Sequence, residues 1–174
     1  MAKIIEVYTD GGCIGPNPST SGGTWAWCTV GEDGARVRHD SGVITPEEIG
    51  LPVVTNNVAE LAAAVNAMEW LPYEWAGTIC TDSRCTMLRL SKALAGSKQA
   101  KLNGVPAKLV GRLAAAKARL GACRVVLLGG HPTRLDLARG RTCAGAPVSH
   151  HNAFVDRLCR EQARRFLATG AASP

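Results

Sequence analysis

The seven cysteines of this 174-residue chain include no Cys-x-x-Cys pair, and an odd count spread along the sequence gives no disulfide framework. A zinc signature is therefore absent, and cysteine usage fits a reducing compartment. No apolar run reaches the roughly 18 residues of a membrane span. Met1-Ala2-Lys3 leads directly into a strand-like segment, so the expectation is a cytoplasmic protein without a signal peptide or membrane association. Internal repeats and a second domain are also missing. We expect one domain over residues 1–168 and a frayed small-residue tail over 169–174.

The most telling absence is one of charge. Between Arg84 and Arg124 no Asp or Glu occurs, in a chain that has 14 acids and a net charge of +6. Arg84, Arg89, Lys92, Lys98, Lys101, Lys108, Arg112, Lys117, Arg119 and Arg124 fill that window. Either it is a solvated basic helix surface or it is a footprint for phosphates.

What is present begins with Ile4-Ile5-Glu6-Val7-Tyr8-Thr9-Asp10, a β-prone run that ends in a carboxylate followed by Gly11 and Gly12. Residues 24–30 and 35–44 read as two further strands joined by a turn at Gly31-Glu32-Asp33-Gly34, which implies an antiparallel meander. After a connection over 45–54, Thr55-Asn56-Asn57 offers caps for an Ala-rich helix that carries Glu60 and stops at Pro72. Thr78-Ile79-Cys80-Thr81-Asp82 repeats the opening theme of an apolar strand ending in an acid. Helices over 84–94 and 107–120 and a buried-type strand over 124–128 follow. His131 leaves that strand and enters a loop that runs to about residue 148. Ser149-His150-His151-Asn152 then opens a last helix, with Asp156 one turn in.

Asp10 and Asp82 end strands, and Glu60 and Asp156 sit early in helices. If these elements are neighbours, four acids converge at one end of a mixed sheet and repel each other unless divalent cations neutralise them. Oxygen donors alone fit Mg²⁺ or Mn²⁺, and two such ions can serve a phosphodiester displacement.

Four segments carry a resemblance. Tyr8-Thr9-Asp10-Gly11-Gly12-Cys13, Thr55-Asn56-Asn57-Val58-Ala59-Glu60-Leu61, Thr81-Asp82-Ser83 and Asn152-Ala153-Phe154-Val155-Asp156 resemble, in order, the motifs of type 1 ribonuclease H. The resemblance implies an α/β ribonuclease H-like fold: a five-stranded mixed sheet, three antiparallel strands then two parallel, with helices on both faces. It also implies an endonuclease that cuts the RNA strand of RNA–DNA hybrids, leaving 3′-hydroxyl and 5′-phosphate ends.

On that pattern Asp10, Glu60, Asp82 and Asp156 would hold two Mg²⁺ ions, with Mn²⁺ as a substitute. His131 would be the mobile histidine, with His150 and His151 as rivals. Gly11, Cys13, Asn56 and Asn57 would face the RNA sugar edge, and Thr55 and Asn17 a DNA phosphate. Arg84 stands where the family often has Gln. Lys98, Lys101 and Lys108 belong to a basic segment resembling the family's substrate-binding handle without its tryptophans. The expected working form is a monomer on a hybrid duplex. The competing readings are a nuclease or strand-transferase of this fold acting on DNA, and a non-catalytic hybrid-binding module.

Overall fold

The computed structural model describes residues 3–96 and 104–170, so Lys98 and Lys101 lie outside the described residues. Strand β1 (Ile4–Cys13) is the centre of a five-stranded sheet of order β3-β2-β1-β4-β5. It pairs antiparallel with β2 (Gly23–Gly31), which pairs antiparallel with β3 (Arg36–Ile44). On its other side β1 runs parallel to β4 (Thr78–Thr81), which is parallel to β5 (Arg124–Leu127). The mixed sheet read from the sequence is the sheet observed.

Alternation along β1 and β2 sorts side chains to two covers. Val7, Trp27 and Ile79 face a core built with helix α2 (Asn56–Trp70) and with α4 (Ala107–Ala118). Tyr8, Ala26, Cys28 and Cys80 face a smaller core with Val155 and Cys159 of the last helix, α6 (His150–Ala168). Helices therefore cover both faces. In α2 the residues Ala59, Ala62, Ala63, Ala64 and Ala67 are fully buried, so small side chains let the helix axis approach the sheet closely. Thr55 caps α2 by accepting from Val58 N at 3.3 Å.

Two segments that the sequence presents as connections contain short helices. Thr45 and Glu48 form a capping box that starts α1 (Pro46–Ile49). Thr133 and Asp136 do the same for α5 (Arg134–Arg139), so the stretch after His131 is ordered by its own hydrogen bonds. Each box fixes only a single turn or slightly more, too short to show a hydrophobic period. Helix α3 (Arg84–Leu94) starts at Ser83, which accepts from Thr86 N.

Strand β3 is the exposed edge. Its register skips Val37, so Arg36 and Arg38 turn to opposite faces, one over the Phe154 ring of α6 and the other over Trp70 of α2. No helix among the described residues is long and apolar enough to cross a membrane.

Candidate active site

The parallel register of β1 and β4 pairs Thr9 with Thr81. The next residue of β1 is Asp10 and the first residue past β4 is Asp82, so the two acids sit side by side where the parallel pairing stops. Strand β1 does not end at Asp10, as the sequence suggests, but runs on to Cys13 against β2. Glu60 is delivered from the other direction, and Gly11 is the reason it can be. A Cβ on Gly11 would lie 2.4 Å from both the carbonyl carbon and the oxygen of Ala59, and 2.6 Å from Glu60 N. Only a residue without a side chain lets the second turn of α2 rest on β1 there.

The result is a group of three acids, Asp10, Glu60 and Asp82, each offering a carboxylate oxygen within 4.8 Å of the others. Asp10 is 9% exposed. Burial, followed by the charges of Asp82 and Asp156, pushes its carboxyl up to about 7, against a backbone hydrogen bond from Gly11 and the opposing charge of Arg160. Burial, and then the charges of Asp10 and Asp82, hold Glu60 well above its ordinary value. Its Oε2 is buried without a protein hydrogen-bond partner. Three crowded carboxylates with an orphaned oxygen form an all-oxygen donor set matched to hard divalent cations, so the residues fit such a group.

Asp156 shares the cleft but is held apart. Lining residues include Asp10, Glu60, Asp82, Asp156, His131 and Arg160, around a volume of about 530 Å³. The Asp156 carboxylate is engaged by the Arg160 guanidinium, with Nε donating to Oδ1 at 3.1 Å and Nη2 to Oδ2. The structure therefore brings four acids to one cleft as three together and one ion-paired.

Around them the expected contact residues divide. Gly11, Cys13, Asn17 and Asn56 line the cleft. The last three are also tied to each other, since Cys13 N donates to Asn56 Oδ1 at 2.9 Å and Asn56 N to Asn17 Oδ1 at 3.2 Å. Thr55 and Asn57 flank them at the start of α2, and Arg84 opens α3. Lys108 lies at a separate hollow with Glu48 and Arg112, where its Nζ donates to Glu47 O at 3.3 Å.

Of the three candidate histidines, His131 lines the cleft, and it holds a left-handed backbone with φ 47°. His151 instead packs on the Tyr8 ring at 5.1 Å between α6 and the sheet. His150 is exposed at the first turn of α6.

Asn152 is a residue whose part only the structure displays. It is 1% exposed and donates from Nδ2 to Asp82 Oδ2 at 3.1 Å. Gly130, in the segment after β5, also lies close to this acid, since a Cβ there would sit 3.2 Å from Asp82 Oδ2. The Asn152 signal was in the motif Asn-x-x-x-Asp, but sequence gives the residue type without its partner.

With this geometry in view, the family model for RNase H matches residues 2–164. The chain belongs to the RNase H family. A ribonuclease H from Pectobacterium carotovorum is 37% identical over 84 residues, which are 48% of this chain and 47% of that protein. One from Proteus mirabilis is 35% identical over 92 residues, 53% of this chain and 50% of its own. The chain thus spans about half the length of the curated relatives it matches. Among solved structures, RNase H1 of the archaeon Halobacterium salinarum superimposes with TM-score 0.61 at 20% identity, covering 92% of this chain and 98% of the other. LC11-RNase H1 in complex with an RNA/DNA hybrid does so with TM-score 0.59, 20% identity and coverage of 93% and 98%. These likenesses show the RNase H fold, which the three-antiparallel, two-parallel sheet of this family member displays.

Proposed function

We propose that this RNase H-family chain is an endoribonuclease that hydrolyses the RNA strand of RNA–DNA hybrids, leaving 3′-hydroxyl and 5′-phosphate ends. The observation that carries the reading is the meeting of Asp10, Glu60 and Asp82 within 4.8 Å, in a cleft that Asp156 also lines. Two divalent cations, Mg²⁺ or Mn²⁺, would supply charge neutralisation and Lewis acidity at the scissile phosphate.

Asp10, Glu60, Asp82 and Asp156 would hold them. Asn152 keeps the Asp82 carboxylate turned toward the cleft. Gly11, Cys13, Asn56 and Asn57 would form the wall against the RNA sugar edge, where a 2′-hydroxyl separates RNA from DNA. His131, which lines the cleft, would assist proton transfer to the departing 3′-oxygen or the release of product. Thr55 and Asn17 would contact a DNA phosphate, and Arg84 with the basic stretch that includes Lys108 would neutralise further backbone phosphates, a role assigned equally to Lys98 and Lys101. Action as a cytoplasmic monomer belongs to the same reading. The hybrid held by LC11-RNase H1 supports the choice of duplex.

The test offers matched RNA–DNA, DNA–DNA and RNA–RNA duplexes with each strand labelled. The expected result is scission of the RNA strand of the hybrid alone, lost in EDTA and restored by Mg²⁺ or Mn²⁺, with Ca²⁺ supporting binding but little cleavage. Cutting of the DNA duplex at a comparable rate would replace this reading with a DNA nuclease of the same fold.

A further inference from the structure

Arg160 has no place in the sequence motifs, yet among the described residues that line the cleft it is the one guanidinium. It stands four residues after Asp156 on α6, the spacing and order in which an acid and a base on a helix meet best. Nε and Nη2 face the two carboxylate oxygens in a fork, so both oxygens of Asp156 are already engaged. The neighbouring base on the same helix is turned elsewhere, with Arg157 over the Phe154 ring at 5.4 Å. Asp10, Glu60 and Asp82 instead meet one another, each offering a carboxylate oxygen within 4.8 Å of the others.

We infer that Arg160 is a positioning residue, a resident counter-cation that holds Asp156 apart from the other three acids and yields it when a divalent cation enters the cleft. The inference rests on the proposed cation-dependent function. Its physical basis is competition of charge: the fork takes up one lone pair on each Asp156 oxygen and sets a positive guanidinium beside the carboxylate, so an arriving cation is opposed until that pairing loosens. The pair is partly solvated, with Arg160's side chain 59% and Asp156's 23% exposed, so the fork is weak enough to open. Arg160 therefore sets the cation concentration at which the four-acid site is completed.

Calorimetric titration of the nucleic-acid-free protein with Mn²⁺ tests this without turnover. Arg160→Gln is expected to bind the cation roughly two- to fivefold more tightly than wild type, the range for a partly exposed ion pair. Arg160→Lys should return the affinity toward the wild-type value. In an Asp156→Asn background, the further change Arg160→Gln should give no gain, because the residue acts through Asp156. Unchanged or weaker binding by Arg160→Gln overturns the inference. So does an equal gain in the Asp156→Asn background, which would make Arg160 a general source of positive potential. A wild-type protein that takes up no Mn²⁺ overturns the underlying function instead.

Discussion

Asn152 on the first turn of α6 donates a hydrogen bond to Asp82 at the end of β4, across 3.1 Å. That link joins the helix covering one face of the sheet to the acid at its edge. The other amide atom, Asn152 Oδ1, is buried without a protein partner, so the side chain is kept at some energetic cost. Replacing Asn152 with Ala removes the group that orients Asp82 as well as an unsatisfied acceptor. Hybrid cleavage should fall about 10- to 100-fold, with a rise in the Mg²⁺ concentration needed. Thermal unfolding should change little by comparison. A variant with full activity at low Mg²⁺ would show that Asp82 needs no such support.

Gly11 and Gly12 make a matched pair for testing how α2 is seated. A Cβ on Gly11 meets the Ala59 backbone at 2.4 Å, whereas one on Gly12 has nothing within 4 Å. Gly11→Ala should destabilise the protein by about 1–3 kcal/mol or more, since backbone rather than a flexible side-chain tip must move. Gly12→Ala should stay within about 0.5 kcal/mol of wild type. Urea unfolding of the two variants side by side reads the difference.

The raised carboxyl of Asp10 makes a signed prediction about pH. Its folded-state value of about 7 lies above the ordinary 3.8, so the folded protein holds a proton that the unfolded chain has released. The corresponding stability is fully present below pH 4 and is lost as the pH rises through 7. In EDTA, stability should therefore decline between about pH 4 and 7 by an amount on the order of a few kcal/mol. Asp10→Asn, which cannot ionise, should flatten that decline and melt higher than wild type at pH 8. Divalent cations should restore the wild-type melting temperature by neutralising the acids.

Salt dependence tests the acid-free stretch. If Lys108 contacts a phosphate, Lys108→Gln should weaken hybrid binding similarly for all sequences. It should also reduce the slope of log affinity against log salt by about one. An unchanged slope would leave Lys108 a surface residue bonded to Glu47.

The succession of strands was legible because their apolar runs and the Asp33-Gly34 turn are local signals. The parallel placement of β4 beside β1 was not encoded locally; it came with the family resemblance, and the Thr9–Thr81 register bears it out. The helices at Pro46–Ile49 and Arg134–Arg139 escaped notice because each carries only end signals, a capping box and a closing glycine, and is too short to show a hydrophobic period. At the site, acids in motifs are visible as residue types. The division into three acids in contact and one in a guanidinium fork depends on a residue, Arg160, that looks like any other surface base on an amphipathic helix. Likewise, sequence left His131, His150 and His151 as rivals, whereas packing separates them, with His131 at the cleft and His151 against Tyr8.

The central claim is that these clustered carboxylates perform the cleavage. It is tested most directly by the Mg²⁺-dependent turnover of Asp10→Asn on a labelled RNA–DNA hybrid, with hybrid affinity measured in parallel in Ca²⁺. The account predicts that scission of the RNA strand is abolished while the variant still binds the duplex. Turnover near the wild-type rate would contradict it.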